Sequence, residues 1–392
     1  MKIIKVNGLT PIQSGMLFQY MLSNDKSSYM GTEIFELEGN INSDIFKSVL
    51  EKISDEYEVF RTNVIYDKID VPKSVVIDKR TIPFEFHKAV TDEEIKLLTY
   101  KINAEQFEKG FDIQRDSLIR LDLIVGENSS VIIFSFHHIL MDGYCAAMIA
   151  DIIMKNYGKL LGRQIENDGE YVPFSAYQDW IIIQDMSQSR EYWHEYLKDI
   201  SPVQPLELIQ FGSDRKKDVG HSSLTVEFTP SETKELLSAA AAGNATLNIY
   251  MQWLWGITLC RNFSCDKAVF GTVVSYRPAE FSNAERVLGP MINTVPVVFE
   301  CSSDIKITEQ LNAFRRSFLD SMEHSWIGLG EISKAVEDCK NLIDHLFVYD
   351  NFPEMDFGSI KENTGFQVKN FKLEERTEYA LTLEVSKTDR IR

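Results

Sequence analysis

The apolar and polar positions along the chain fall into two kinds of stretch. Helical spacing, with apolar residues three and four apart, runs near 10–23, 43–58, 92–109, 144–160 and 187–198, and again near 231–242, 247–260 and 307–323. β-Branched and aromatic runs of strand length lie near 32–38, 61–67, 73–78, 84–89, 118–125 and 131–138. A second set follows near 223–229, 268–276, 293–300, 345–350 and 379–385. The elements alternate irregularly, with no repeated βα unit, so the expected class is mixed α/β (α+β). A polar stretch around 199–221 separates the two sets. At 392 residues the chain exceeds one compact core, and two lobes are expected, 1–180 and 181–392.

Chemistry concentrates where one apolar run ends, in Phe136-His137-His138-Ile139-Leu140-Met141-Asp142-Gly143. Strand side chains alternate between faces, so His137 and His138 point to opposite sides of their sheet. One imidazole is then free to be structural while the other faces a cavity. Met141-Asp142-Gly143 reads as the turn out of the strand, with a helix to follow from Tyr144 through Tyr157. Adjacent histidines on opposite faces cannot easily share one ion, and no third ligand stands at a typical spacing, so no metal is expected. Ser135 and Cys145 lie close by in sequence, but no oriented base and third group can be read for a covalent acyl-enzyme.

The formal net charge of −18 argues against a nucleic-acid partner. The one short basic cluster, Arg215-Lys216-Lys217, sits between loop-like segments and reads as a solvated connection. Five scattered cysteines, Cys145, Cys260, Cys265, Cys301 and Cys339, lack the paired spacing of a zinc site and read as reduced thiols. No apolar segment follows Met1 and no run of ~18 apolar residues occurs, so a cytoplasmic protein without a membrane partner is expected.

The His-His-x-x-x-Asp-Gly pattern resembles the condensation domains of nonribosomal peptide synthetases, within the superfamily typified by chloramphenicol acetyltransferase. Further segments match in order. Leu9-Thr10-Pro11-Ile12-Gln13-Ser14-Gly15-Met16-Leu17-Phe18 resembles the opening motif, and Phe60-Arg61-Thr62 the second. Pro173–Trp180 with Tyr192-Trp193 resembles the segment joining the lobes. Ser275–Glu280 and Val287–Pro296 resemble second-lobe motifs, and Leu346–Pro353 the late strand. Little sequence follows the strand-like run at 381–385, so relative to the family the second lobe is expected to lack its last elements.

The resemblance implies two acetyltransferase-like lobes in a V, with the active site in a tunnel between them. It implies amide (peptide) bond formation between a donor aminoacyl or peptidyl thioester and the amine of an acceptor aminoacyl thioester. Both substrates would ride on phosphopantetheine arms of peptidyl carrier proteins, with no bound cofactor and an adenylation domain as a neighbour. His138 would be the catalytic imidazole, Gly143 an oxyanion donor through its N–H, and His137 a local shaper of the turn. Asp142 would be structural, paired with Arg277 or, as second choice, Arg61. Both histidines stand, which disfavours heterocyclisation, and Gly289–Thr294 follows the condensing rather than the epimerising type. The stretch Gln13–Phe18 resembles condensing domains that accept a donor ending in a D-residue. A recruitment module without catalysis and a stand-alone coenzyme A-dependent acyltransferase are the alternatives.

Overall fold

The computed structural model describes residues 2–23, 25–39, 41–165, 169–200, 223–302, 304–336, 342–350, 357–375, 379–387 and 389–392. The basic cluster at 215–217, the polar stretch around it, Cys339 and Asn351-Phe352-Pro353 lie outside the described residues.

Along the chain the elements are β1 (Ile3–Gly8), α1 (Pro11–Ser23), β2 (Met30–Glu38), α2 (Ser43–Glu56), β3 (Thr62–Ile65), β4 (Lys73–Ile77), β5 (Phe84–Lys88) and α3 (Asp92–Lys109). Next come β6 (Ile119–Val125), β7 (Ser129–His137), α4 (Gly143–Leu160), β8 (Val172–Pro173), α5 (Phe174–Ile182), α6 (Ser187–Leu197), α7 (Pro230–Ala242) and α8 (Leu247–Phe263). The remainder is β9 (Lys267–Ser275), β10 (Val287–Leu288), β11 (Ile292–Glu300), α9 (Ile307–Met322), α10 (Leu329–Ile332), β12 (His345–Asp350), α11 (Phe357–Thr364), β13 (Gln367–Glu375) and β14 (Leu381–Ser386).

These elements form two compact units. The first is built on a five-stranded sheet in the order β13-β2-β7-β6-β5, antiparallel except for the β5–β6 pair. Its two faces are covered differently. On one, Ile95 and Ile102 of α3 close over Ile34, Ile124, Val131 and Ile133, all under a tenth exposed. On the other, Ile149 and Ile153 of α4 close over Phe35, Ile132 and Phe134. Burying apolar side chains of this size is worth about 1.5–3 kcal/mol each. Thr91 caps α3 through its side chain and Asn42 caps α2, satisfying backbone N–H groups that the first helical turn leaves open. A small sheet, β1-β4-β3, flanks this core.

The second unit carries a four-stranded sheet, β11-β9-β12-β14, in which only the β11–β9 pair is antiparallel. Helix α7 opens with a reciprocal cap between Thr229 and Glu232. Trp193, fully buried on α6, donates its indole N–H to the His324 carbonyl at 2.9 Å.

The units do not follow the expected boundary between 180 and 181. The first runs to Gln184 and then regains Arg277–Met291 and residues 352–378, while the second takes Asp185–Tyr276, Ile292–Asn351 and Tyr379–Arg392. Segments expected in a second lobe, Arg277–Glu280 and Val287–Met291, therefore belong to the first unit. The reason is local bonding: Asp142 captures both ends of 277–291, and β13 completes the edge of the first sheet beside β2.

Two strand expectations also change. The run 223–229 is extended but forms no strand; its Phe228 N–H donates to the Ile391 carbonyl at 2.9 Å, and Leu224 and Val226 are exposed. The strand β13 has no counterpart among the expected elements, because its residues are largely polar and its register slips between Val368 and Asn370, which breaks the alternation.

Candidate active site

Strand β7 ends at His137 and a tight turn carries the chain into α4, whose first residue is Gly143. The turn is held from three sides. The His138 N–H donates to the Tyr29 carbonyl at 2.8 Å, the Leu140 N–H to the His137 carbonyl at 3.0 Å, and the Gln13 amide to the Ile139 carbonyl at 2.9 Å. Gln13 is itself fixed. It exchanges hydrogen bonds with Thr10 in a reciprocal cap at the start of α1, and its Oε1 accepts from Gln178 at 2.9 Å. The Thr-Pro-x-Gln opening of α1 thus mounts the histidine turn.

The two imidazoles face opposite sides of the sheet. His137 lies fully buried against the rings of Tyr20 and Phe111, and its Nδ1 accepts the Ile139 N–H at 3.0 Å. Burial pushes its pKa down to about 3, with the neighbouring His138 adding to the effect, so this ring is neutral. An accepting Nδ1 places its proton on Nε2.

His138 is 7 % exposed and stands edge-on to Phe136, with centroids 5.2 Å apart. Its Nδ1 lies 3.2 Å from the Met141 carbonyl, which only accepts, and its Nε2 lies 3.1 Å from Glu375 Oε1. Burial works against the charged ring, but the Glu375 carboxylate outweighs it with help from Asp142, and the pKa is raised. Opposite charge at contact distance accounts for the sign.

Asp142 is fully buried and is the N-cap of α4. Its Oδ1 accepts the Cys145 N–H and its Oδ2 the Met291 N–H, both at 2.9 Å. The Arg277 guanidinium completes the shell at 3.6 Å and lies over the Tyr144 ring, 4.0 Å from its centroid. Arg277 also donates to the Ala284 carbonyl at 2.8 Å. One carboxylate thereby satisfies a helix start and clamps the 277–291 segment. Gly143 follows it in the first turn of α4, where backbone N–H groups point outward at the positive end of the helix.

Along this length the chain is matched by the family model described as "Condensation domain" over residues 4–391. The chain belongs to the condensation-domain family. Gramicidin S synthase 2 of Brevibacillus brevis is 31% identical over 396 residues, covering 98% of this chain and 9% of that protein. Tyrocidine synthase 2 of Brevibacillus parabrevis is 29% identical over 383 residues, covering 96% of this chain and 11% of its own length. The condensation domain thus spans about a tenth of each of these relatives. Among solved structures, the first condensation domain of the calcium-dependent antibiotic synthetase with a substrate analogue superposes with a TM-score of 0.77. It is 15% identical and covers 100% of this chain and 90% of that one. A four-domain nonribosomal peptide synthetase bound to AMP and glycine gives 0.79 at 18% identity, over 100% of this chain and 31% of that chain.

In this condensation domain the first unit brings together His137, His138, Asp142, Gly143 and Arg277. Arg61 does not join them. Its Nε donates to the Ser54 carbonyl at 2.6 Å and its Nη1 to the Ile77 carbonyl at 2.8 Å, so it ties the end of α2 to β4 and the second-choice partner for Asp142 is corrected. Ser135 and Cys145 are both fully buried. Burial raises the Cys145 thiol far above its usual range, and its Sγ meets the Gly289 carbonyl at 3.0 Å, which leaves it no nucleophilic role. Sequence reasoning misses two acidic groups, Glu375 and Glu33. Glu33, on β2, is buried beside a space of about 10 Å³ lined by Phe35, Phe46 and Ile153. Desolvation, with Glu375 nearby, pushes its carboxyl up to about 8. Neither leaves a signal in the sequence: Glu33 shares its strand with Thr32, Glu36 and Glu38, and Glu375 follows Glu374 in a largely polar run.

Proposed function

We propose that this condensation domain forms an amide bond between a donor acyl thioester and the α-amine of an acceptor aminoacyl thioester. Each substrate is carried on the phosphopantetheine arm of a carrier protein, in a cytoplasmic assembly line that includes an adenylation domain. The amine nitrogen attacks the thioester carbonyl carbon, the C–N bond forms and the C–S bond breaks. The amine's proton passes by way of His138 to the departing sulfur. The products are the extended chain on the acceptor arm and a free thiol on the donor arm.

One observation carries this reading: His138 is held at both ring nitrogens on the turn into α4, in a chain matched by the family model almost from end to end. Its Nε2 handles the amine proton, and a positioned imidazole suits that task near neutral pH. Because a thioester is already activated, alignment supplies much of the rate. The Gly143 N–H, at the positive end of α4, stabilises the tetrahedral oxyanion. Asp142 and Arg277 hold the turn and take no part in proton transfer.

The test mixes the protein with two loaded carrier proteins and follows the product by mass spectrometry, for wild type and His138→Ala. Amide from the wild type alone supports the reading. Carrier binding without amide from either protein replaces it with a recruitment module, and equal turnover of free and carrier-bound thioesters replaces it with a coenzyme A-type acyltransferase.

A further inference from the structure

Resting on the condensation reading, we propose that Glu375 is a positioning residue for His138, fixing the ring's orientation and holding the proton on Nε2 in the substrate-free site. Glu375 closes β13 and stands opposite Gly31 of β2, which in turn stands opposite Phe136 of β7. No side chain at position 31 intervenes. A Cβ on Gly31 would come within 2.6 Å of Cζ of Phe136, the ring that stands edge-on to His138. The direction of the Glu375 side chain is set by its neighbour. Glu374 accepts from Asn103 of α3 at 2.7 Å, and alternation then turns Glu375 to the other face, where its Oε1 meets His138 Nε2 at 3.1 Å.

Among the described residues, the other charged groups facing His138 are accounted for. Asp142, at the start of α4, has its oxygens taken by the Cys145 and Met291 N–H groups and by Arg277. Glu33, one row along the same sheet face, keeps its proton at neutral pH. His137 lies on the far face and is neutral. Glu375 is therefore the carboxylate that meets Nε2. With Met141 accepting at Nδ1, the ring donates at both nitrogens and is an imidazolium. Before His138 can take the amine's proton, its own Nε2 proton must leave, and the acid limb of the pH profile is set by Glu375.

The experiment titrates ¹³C-histidine-labelled protein by NMR without substrates, with the His138 signal assigned by its loss in His138→Ala. Glu375→Gln lowers the His138 midpoint by about one to three pH units, as removal of an opposite charge in contact requires. Glu375→Asp keeps the charge and retains most of the elevation, and Glu33→Gln leaves the midpoint in place. In amide formation, Glu375→Gln moves the acid limb of kcat/KM the same way. An unchanged His138 midpoint in a folded Glu375→Gln protein overturns the proposal. Because the titration uses no substrate, failure of amide formation counts against the condensation reading and leaves the Glu375 result standing.

Discussion

At the end of β7 the two sheet faces carry the same residue type one position apart, with pKa values pushed in opposite directions. Toward α1, His137 meets Tyr20, Phe111 and a backbone N–H, and with no acidic group against it among the described residues its burial keeps it neutral. Toward α4, His138 is almost as buried, but a carboxylate from β13 reaches it and its pKa rises. Burial alone does not decide what a histidine does. The difference lies in whether the sheet brings an acid to the ring; on the proposed reading, that makes one imidazole a strut and leaves the other to exchange a proton.

The sharpest way to break this contrast is to delete each ring. His138→Ala is expected to lower amide formation roughly 10²- to 10⁴-fold with the fold intact, and equal losses for His137→Ala at intact folding would end the asymmetry. Asp142→Ala removes the cap, the Met291 anchor and the partner of Arg277, so about 3–5 kcal/mol of stability should go, measured by denaturant unfolding. If that variant keeps wild-type stability, the clamp on 277–291 is not what holds the site. His137→Ala orphans a buried N–H and should cost about 1–3 kcal/mol.

The sign of its pH dependence follows from the folded pKa near 3. Between about pH 6.5 and 3 only the unfolded chain takes up this proton, so His137 makes stability fall on acidification, and the alanine variant should show a flatter acid limb. Glu33 runs the other way. From pH 4.5 to about 8 the folded chain keeps a proton that the unfolded chain has lost, so its contribution to stability declines as pH rises. Relative to wild type, Glu33→Gln should therefore gain roughly 3–4 kcal/mol more stability at pH 8 than at pH 5, at about 1.36 kcal/mol per pH unit. A gain of equal size at both pH values would show that Glu33 is ionised in the fold.

Much of this site is legible in the sequence because its logic is local. The run Val131–Phe136 fixes which way each histidine points, and the Asp-Gly step marks the start of α4. The Asp142–Arg277 pair joins residues far apart in the chain, yet family resemblance places Arg277 first, and it stands 3.6 Å from Asp142. Glu375 is out of reach. It lies on a strand whose own pattern is polar and interrupted, and its meaning depends on pairing with β2, over 330 residues earlier. The opposite error comes from Leu224, Val226 and Phe228, which alternate as a strand should but find no ladder, so Leu224 and Val226 remain in solvent. Alternation proposes a strand, and a partner edge decides it.

The late arrival of β13 gives the molecule a schedule. A ribosome that has just made residue 184 has produced both histidines, α4 and four strands of the sheet, but β2 is still a bare edge with unpaired backbone groups. Until residue 375 has emerged, the nascent chain carries an open template for mispairing and a His138 without its acid. Chaperone dependence and aggregation during synthesis should accordingly concentrate in that interval, and shortening the chain before 367 should promote self-association of the first unit along β2.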